Sequence, residues 1–329
     1  MNMSTNNLPP YINYPGNVVM HPPLMMEKAN AYGFFIKGDL DKLQATVDTC
    51  LNVPASGKMQ FEVLSHNVML TFTYVDKAYS KNPADQEKGY ISELDIVTWI
   101  MVASMKNGEV DEIYWFPHFI WVDSCIALIA GRELYGYPKY LCNYEMPKSP
   151  KDPADYFSCS VDGFQTFSPD TKIANHPLIE IRKKTSGNKS KADSLFDVIR
   201  EGGALLSHIP DFFNSKIKGI EKILPSINFH PTINQIFLKQ FPAAEGGKAA
   251  YQAIVEAPAK FSINIFKHPP SVFFNKFEFT LHQVDSFPLA QTLGIEVGTQ
   301  EVEFAFHLYS DFEQMAGTEL VNISAVNPE

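Results

Sequence analysis

The chain has 329 residues, 45% hydrophobic and 19% charged, an ordinary globular balance with enough apolar material to bury a core. Its formal net charge of −10 argues against nucleic acid and anionic membrane surfaces as main partners. Four cysteines, Cys50, Cys125, Cys142 and Cys159, show no C-x-x-C spacing and read as reduced thiols; Cys125, inside an apolar run, reads as a small core residue.

Residues 1–30, rich in Pro, Asn and Met, read as an N-terminal arm that gains order by docking. They lack the basic start and apolar stretch of a signal peptide. The segment "AYGFFIK" (31–37) predicts a strand. A helix is predicted over 38–52, with Asp39 as N-cap and Leu40, Leu43, Val47 and Leu51 at helical spacing. Strand-like runs follow at 59–75, 90–104, 109–117 and 119–130, separated by loops with Pro, Asn, Gly and Lys. Asp95, Pro117, His118 and Asp123 interrupt the most apolar windows, so no membrane span is expected and the reading is a soluble, cytoplasmic protein. Residues 156–169 predict a hairpin turning at Asp162-Gly163. At about 185–230 the pattern turns helical, starting near Asp193 or Ser194, and strands return at 234–241, 260–266, 272–284 and 301–312. The fold class is therefore α+β: one domain over 31–329, mainly antiparallel sheet or barrel, with a helical insertion at about 185–230. The histidines show no H-E-x-x-H spacing, and neither G-x-S-x-G nor a phosphate loop occurs, so no metal or other cofactor is expected.

The stretch "GRELYGYPKY" (131–140) puts Lys139 directly behind the apolar run "FIWVDSCIALIA" (119–130). Lysine belongs on a solvated surface, so Lys139 either escapes to water or is held in a pocket for a purpose. The stretch resembles the signature of the acetoacetate decarboxylase family, in which G-R-E-L leads to a Y-P-K carrying a Schiff-base lysine. Weaker similarity extends over roughly residues 25–312, leaving 185–230 unmatched. The resemblance implies a cone-like, largely antiparallel β-barrel with the lysine inside it, in a homo-oligomer. It implies a cofactor-independent lyase that condenses Lys139 with a small keto acid or other carbonyl substrate.

An iminium is the electron sink that decarboxylation of a β-keto acid needs, and only a neutral amine can form it. At an ordinary pKa near 10.4, about one lysine in 2,500 is neutral at pH 7. Acetoacetate decarboxylase is itself the standard example of a lysine activated by desolvation or a neighbouring cation. The resemblance therefore implies that Lys139 has a depressed pKa. Tyr140 stands where the type member has a second lysine. Neighbours on a strand point to opposite faces, so residue 140 need not share the pocket with Lys139, and desolvation by Tyr135 and Tyr137 is the expected substitute.

The family's carboxylate-binding arginine corresponds to Lys37, which lacks the planar fork. Its proton-steering glutamate corresponds to Glu93, with Asp95 the competing carboxylate on the same strand face. Arg132, Glu133 and Tyr137 are further candidate substrate-binding positions. Three functions stay open: decarboxylation of a β-keto acid, aldolase or dehydratase chemistry on a carbonyl compound, and a binding protein that has kept the pocket without the reaction.

Overall fold

Alternation of residues between two faces builds most of the molecule. In "ISELDIVTWIMVASMK" the odd positions from Ile91 to Trp99 face one way, while Leu94, Ile96 and Ile100 pack on the other side. The structure, a computed structural model, describes residues 10–12, 14, 16–184, 214, 217, 232–262 and 271–323. The helical insertion expected at about 185–230 lies, apart from 214 and 217, outside the described residues. Among the described residues thirteen strands form one sheet: β1 Leu24–Lys37, β2 Phe61–Ser80, β3 Ile91–Lys106, β4 Glu109–Val122, β5 Lys139–Leu141, β6 Asn143–Glu145, β7 Tyr156–Gly163, β8 Ala174–Lys183, β9 Thr232–Pro242, β10 Ala249–Ser262, β11 Ser271–Leu281, β12 Gly298–Gln314 and β13 Thr318–Asn322. The short helices are α1 Leu40–Val47, α2 Val53–Ala55, α3 Cys125–Ala130 and α4 Leu289–Thr292. No helix among the described residues is long and apolar enough to cross a membrane.

The pairings run from β1 to β2, β3, β4, β9, β10 and β12, and β12 returns to β1, so these strands close a ring. Neighbours in the ring are antiparallel except β4 and β9, which meet in parallel at Trp115 and Gln235. The inner faces enclose a cavity. On the opposite face, Phe34 of β1 packs edge-to-face on Phe157 of β7 at 5.1 Å and on Phe277 of β11 at 5.3 Å. Full burial of each such ring contributes about 1.5–3 kcal/mol, and good ring geometry adds about 0.5–1.5.

Several sequence expectations are met and several are corrected. Asp39 caps α1, its carboxylate accepting from the Lys42 N–H at 3.0 Å, with Leu43 and Val47 buried beneath. The first strand, expected at 31–37, begins at Leu24, because β2 and β12 supply partners on both sides from there. Tyr156–Gly163 does pair with Ala174–Lys183, but Asp162-Gly163 is not the turn: Asp162 lies opposite Asn175 inside the ladder. The run 119–130 is not one strand. Asp123 leaves the ladder to accept from the Leu94 N–H at 2.9 Å, and Ser124 caps α3, so strand passes to helix. Cys125, at the start of that helix, is exposed and not a core residue.

Residues 17–23 dock ahead of β1, with Val19 and Met20 buried. Asp85, in the 3₁₀ turn Pro83–Lys88, holds them. It accepts from the His21 ring at 2.9 Å and pairs with Lys88 at 2.8 Å, while Lys88 also donates to the Val19 carbonyl.

Candidate active site

The route from β4 to Lys139 is short. α3 follows β4, and a wide π-type turn, Gly131–Tyr135, reverses the chain so that β5 lies parallel to β4 with Lys139 beside Ile120. Two glycines are required on this route. Gly136 has φ +86°, and a Cβ there would stand 2.5 Å from the Lys239 Cα. At Gly131 a Cβ would come within 2.5 Å of the Lys139 Cδ, so the bare backbone makes room for the lysine stem. The Gly136 and Tyr137 N–H groups both donate to the Gly131 carbonyl, at 3.0 and 3.1 Å, and fix the turn.

Lys139 is therefore held inside, 7% exposed. Its Nζ meets the Asp95 Oδ1 at 2.8 Å. Glu93, two positions earlier on β3 and so on the same face, is buried as well. Burial, the neighbouring Asp95 charge and a hydrogen bond to it push the Glu93 pKa up to about 8, against the pull of Lys139. Glu93 thus carries a proton at neutral pH.

The depressed lysine pKa expected from the sequence is not found. Burial does push Lys139 down, but its acidic neighbours push harder the other way, the Asp95 charge and hydrogen bond above all and Glu93, once ionised, adding to them, and the amine lies above its ordinary value. In this arrangement Lys139 is an ammonium whose nearest base is Asp95.

Among the remaining expected positions, Tyr137 is buried on the cavity wall, and its ring centroid lies 5.9 Å from the Lys139 Nζ. Arg132 points outward, but its Nη1 donates to the Lys139 carbonyl at 3.1 Å, so it braces the backbone of β5. Glu133 is exposed and accepts from the Tyr11 hydroxyl at 3.3 Å, outside the cavity. Lys37 is exposed at the end of β1 and does not line the cavity: it shares the parity of Ala31 and Phe35, which do, but lies beyond the last lining residue of that strand. Tyr140 also faces away, its ring 5.1 Å from that of Phe287, as strand parity requires.

Two wall residues, Gln235 and Gln314, went unrecognised in the sequence. The Tyr137 hydroxyl donates to Gln235 Oε1 at 2.6 Å, and Gln235 Nε2 donates to Gln314 Oε1 at 3.0 Å. These glutamines stand on β9 and β12, far from the motif in sequence, and carry no local signal. The Tyr135 hydroxyl is buried on the same wall with no hydrogen-bond partner among the described residues. The cavity they share measures about 670 Å³. Among the described residues no cluster of three or more His, Cys, Asp or Glu side chains could hold a metal.

A buried amine facing a carboxylate and a protonated carboxyl has the parts for carbonyl condensation: a nucleophile, a base for its proton and an acid for the departing oxygen.

Residues 8–186 match the family model described as acetoacetate decarboxylase (ADC). No curated protein matches. Among solved structures, acetoacetate decarboxylase from Legionella pneumophila is 13% identical with a TM-score of 0.59, over 97% of this chain and 94% of that one. An acetoacetate decarboxylase-like enzyme from Sphingomonas wittichii is 15% identical with a TM-score of 0.55, over 95% and 98%. The enduracididine biosynthesis enzyme MppR, complexed with the condensation product of pyruvate and imidazole 4-carboxaldehyde, is 11% identical with a TM-score of 0.53, over 93% and 92%. At these identities the likeness is one of fold.

Proposed function

The chain belongs to the acetoacetate decarboxylase family, and from that premise we propose that Lys139 is the Schiff-base lysine of a lyase that decarboxylates a β-keto acid. The observation that carries this reading is a lysine amine buried in a cavity, 2.8 Å from a carboxylate able to take its proton. We infer also that the seven-strand ring is the cone-like barrel typical of such enzymes.

Each step then has a residue. Asp95 accepts a proton from Lys139, and the neutral amine attacks the substrate ketone. Glu93, kept protonated by its burial, gives its proton to the carbinolamine hydroxyl, which leaves as water. The resulting iminium keeps a positive charge near the original Nζ position, where the Asp95 carboxylate stabilises it. The bond to the carboxylate breaks, CO2 departs and its electron pair enters the iminium to give an enamine. Glu93, having taken a proton from solvent water, delivers it to the enamine carbon, and hydrolysis of the regenerated iminium by water releases the ketone and the free amine.

A second reading, aldol or dehydratase chemistry through the same iminium, is favoured by a specific observation. Lys139 is the one cationic side chain lining the cavity among the described residues, and the arginine fork that would clamp a carboxylate is absent there. MppR, complexed with a condensation product, belongs to the same fold.

The test is borohydride trapping with a panel of β-keto acids and aldehydes, with the adduct mapped by mass spectrometry and CO2 release measured in parallel. An adduct on Lys139 with CO2 release supports decarboxylation. An adduct without CO2 supports the second reading. No adduct across the panel overturns both and leaves a binding protein.

A further inference from the structure

The cavity around Lys139 holds about 670 Å³. That is room for roughly 20 waters at about 30 Å³ each, far beyond what a four-carbon keto acid fills. Its wall away from the lysine is apolar, with Met26, Phe35, Met69, Trp115, Phe306 and Leu308 all facing in. The polar groups on the wall are largely spent on one another. Tyr137, Gln235 and Gln314 form their own chain, and the Trp99 indole N–H donates to the Thr71 hydroxyl at 2.9 Å. Besides the protonated Glu93, the acidic groups on the lining are Asp95, Asp111 and Glu112, against Lys139 alone among the described residues. Among the described residues, a substrate carboxylate entering this cavity meets no cation besides the amine it must react with.

We propose that this cavity selects its substrate by an extended apolar body and not by its carboxylate: a carbonyl compound, keto acid or ketone, carrying a medium-length hydrocarbon chain or a bulky apolar group. The proposal rests on the Schiff-base reading for its reactive end; the apolar body is recognised by the wall. Hydrocarbon fills the space between Trp115, Met69 and Phe306 and displaces water that has few hydrogen-bond partners there. The carbonyl end lies at Lys139, on the wall that also carries Glu93 and the Tyr135 hydroxyl, which has no hydrogen-bond partner among the described residues.

The full chain is incubated with 2-alkanones from acetone to 2-undecanone, and with acetoacetate and 3-oxodecanoate, in the presence of cyanoborohydride. In each trapping event the Lys139 nitrogen bonds to the carbonyl carbon, the oxygen leaves as water, and hydride reduces the iminium to a stable secondary amine. The expected result is a half-saturating concentration that falls about three- to fourfold for each added methylene until the cavity is full. 2-Nonanone should trap about as well as 3-oxodecanoate, whose hydrocarbon body it shares. A flat dependence on chain length, or acetoacetate outperforming every longer compound, overturns the proposal.

Tryptophan fluorescence supplies an independent reading, since Trp99 and Trp115 both line the cavity. Quenching by long ketones in both the wild-type protein and Lys139→Met, with no adduct on any compound, keeps the apolar selection and removes the Schiff base. Neither quenching nor adduct removes both.

Discussion

A lysine whose acidic neighbours hold its pKa up is an unusual starting point for the Schiff-base chemistry proposed for it, and its consequences are measurable at single residues. Asp95 is the largest contributor holding the Lys139 pKa up, so Asp95→Asn should lower it. The pH at which an acylating reagent labels Lys139 should move down, while turnover drops by about 10²-fold or more through loss of the base. An unchanged labelling profile would show that Asp95 does not govern the amine. Gly131→Ala puts a methyl against the Lys139 stem at 2.5 Å, backed by the fixed turn behind it. Trapping at Lys139 should fall at least tenfold in a protein that keeps its circular dichroism. Retained trapping would mean the stem has an alternative rotamer.

At the scale of the element, the wide turn and β5 form a brace, and residues 17–23 form a strap across one part of the cavity, where Met20 joins the wall. The strap depends on one carboxylate. Burial alone would raise the pKa of Asp85, but hydrogen bonds from Lys88 and from the backbone and ring of His21 bring it down to about 2. A depressed carboxylate contributes stability that is present above its unfolded value near 3.9 and is lost as pH falls through about 2. Asp85→Ala should therefore destabilise the protein by about 2 kcal/mol at pH 7, read from urea unfolding, and the gap to wild type should close as pH approaches 2. On the opposite face of the ring, Phe157→Ala opens a void between Phe34, Phe72 and Phe277 and should cost about 3–5 kcal/mol.

At the scale of the whole molecule, the titratable groups inside the cavity couple stability to pH. The folded state raises Glu93 from 4.5 to about 8. A raised pKa means the protonated form binds its proton more tightly when folded, so the contribution is full below 4.5 and is lost as pH rises through about 8. Lys139, also raised, acts in the same direction at higher pH. Wild-type stability should fall relative to Glu93→Gln between pH 5 and 9 in thermal unfolding; parallel curves would contradict a buried, protonated Glu93. Turnover should decline above about pH 8 as Glu93 loses its proton, and that limb should vanish in Glu93→Gln.

Much of this protein is legible in local sequence, because local rules produced it. Alternation at period two reports strands wherever one face differs from the other, as in β2, β3 and β12. The same parity puts Glu93 and Asp95 on one face and turns Tyr140 away from Lys139. The Asp39 cap is readable because a cap acts over three residues. Where competing local signals met, the tertiary structure decided. The apolar run 119–130 hid a Ser124 cap, and the ladder carried past Asp162-Gly163 because β8 offered partners there. Closure of the ring through β4–β9 and β10–β12 joins segments with no sequence relation. With it comes the Gln235–Gln314 contact between β9 and β12 that extends the chain from Tyr137, while the 2.8 Å pairing of Lys139 to Asp95 and the raised amine pKa come from β3, β4 and β5 lying side by side. The motif marks which lysine is proposed to react. Which charges surround it, and how much apolar space it commands, depend on distances between strands far apart in sequence, and those exist only once the ring has closed.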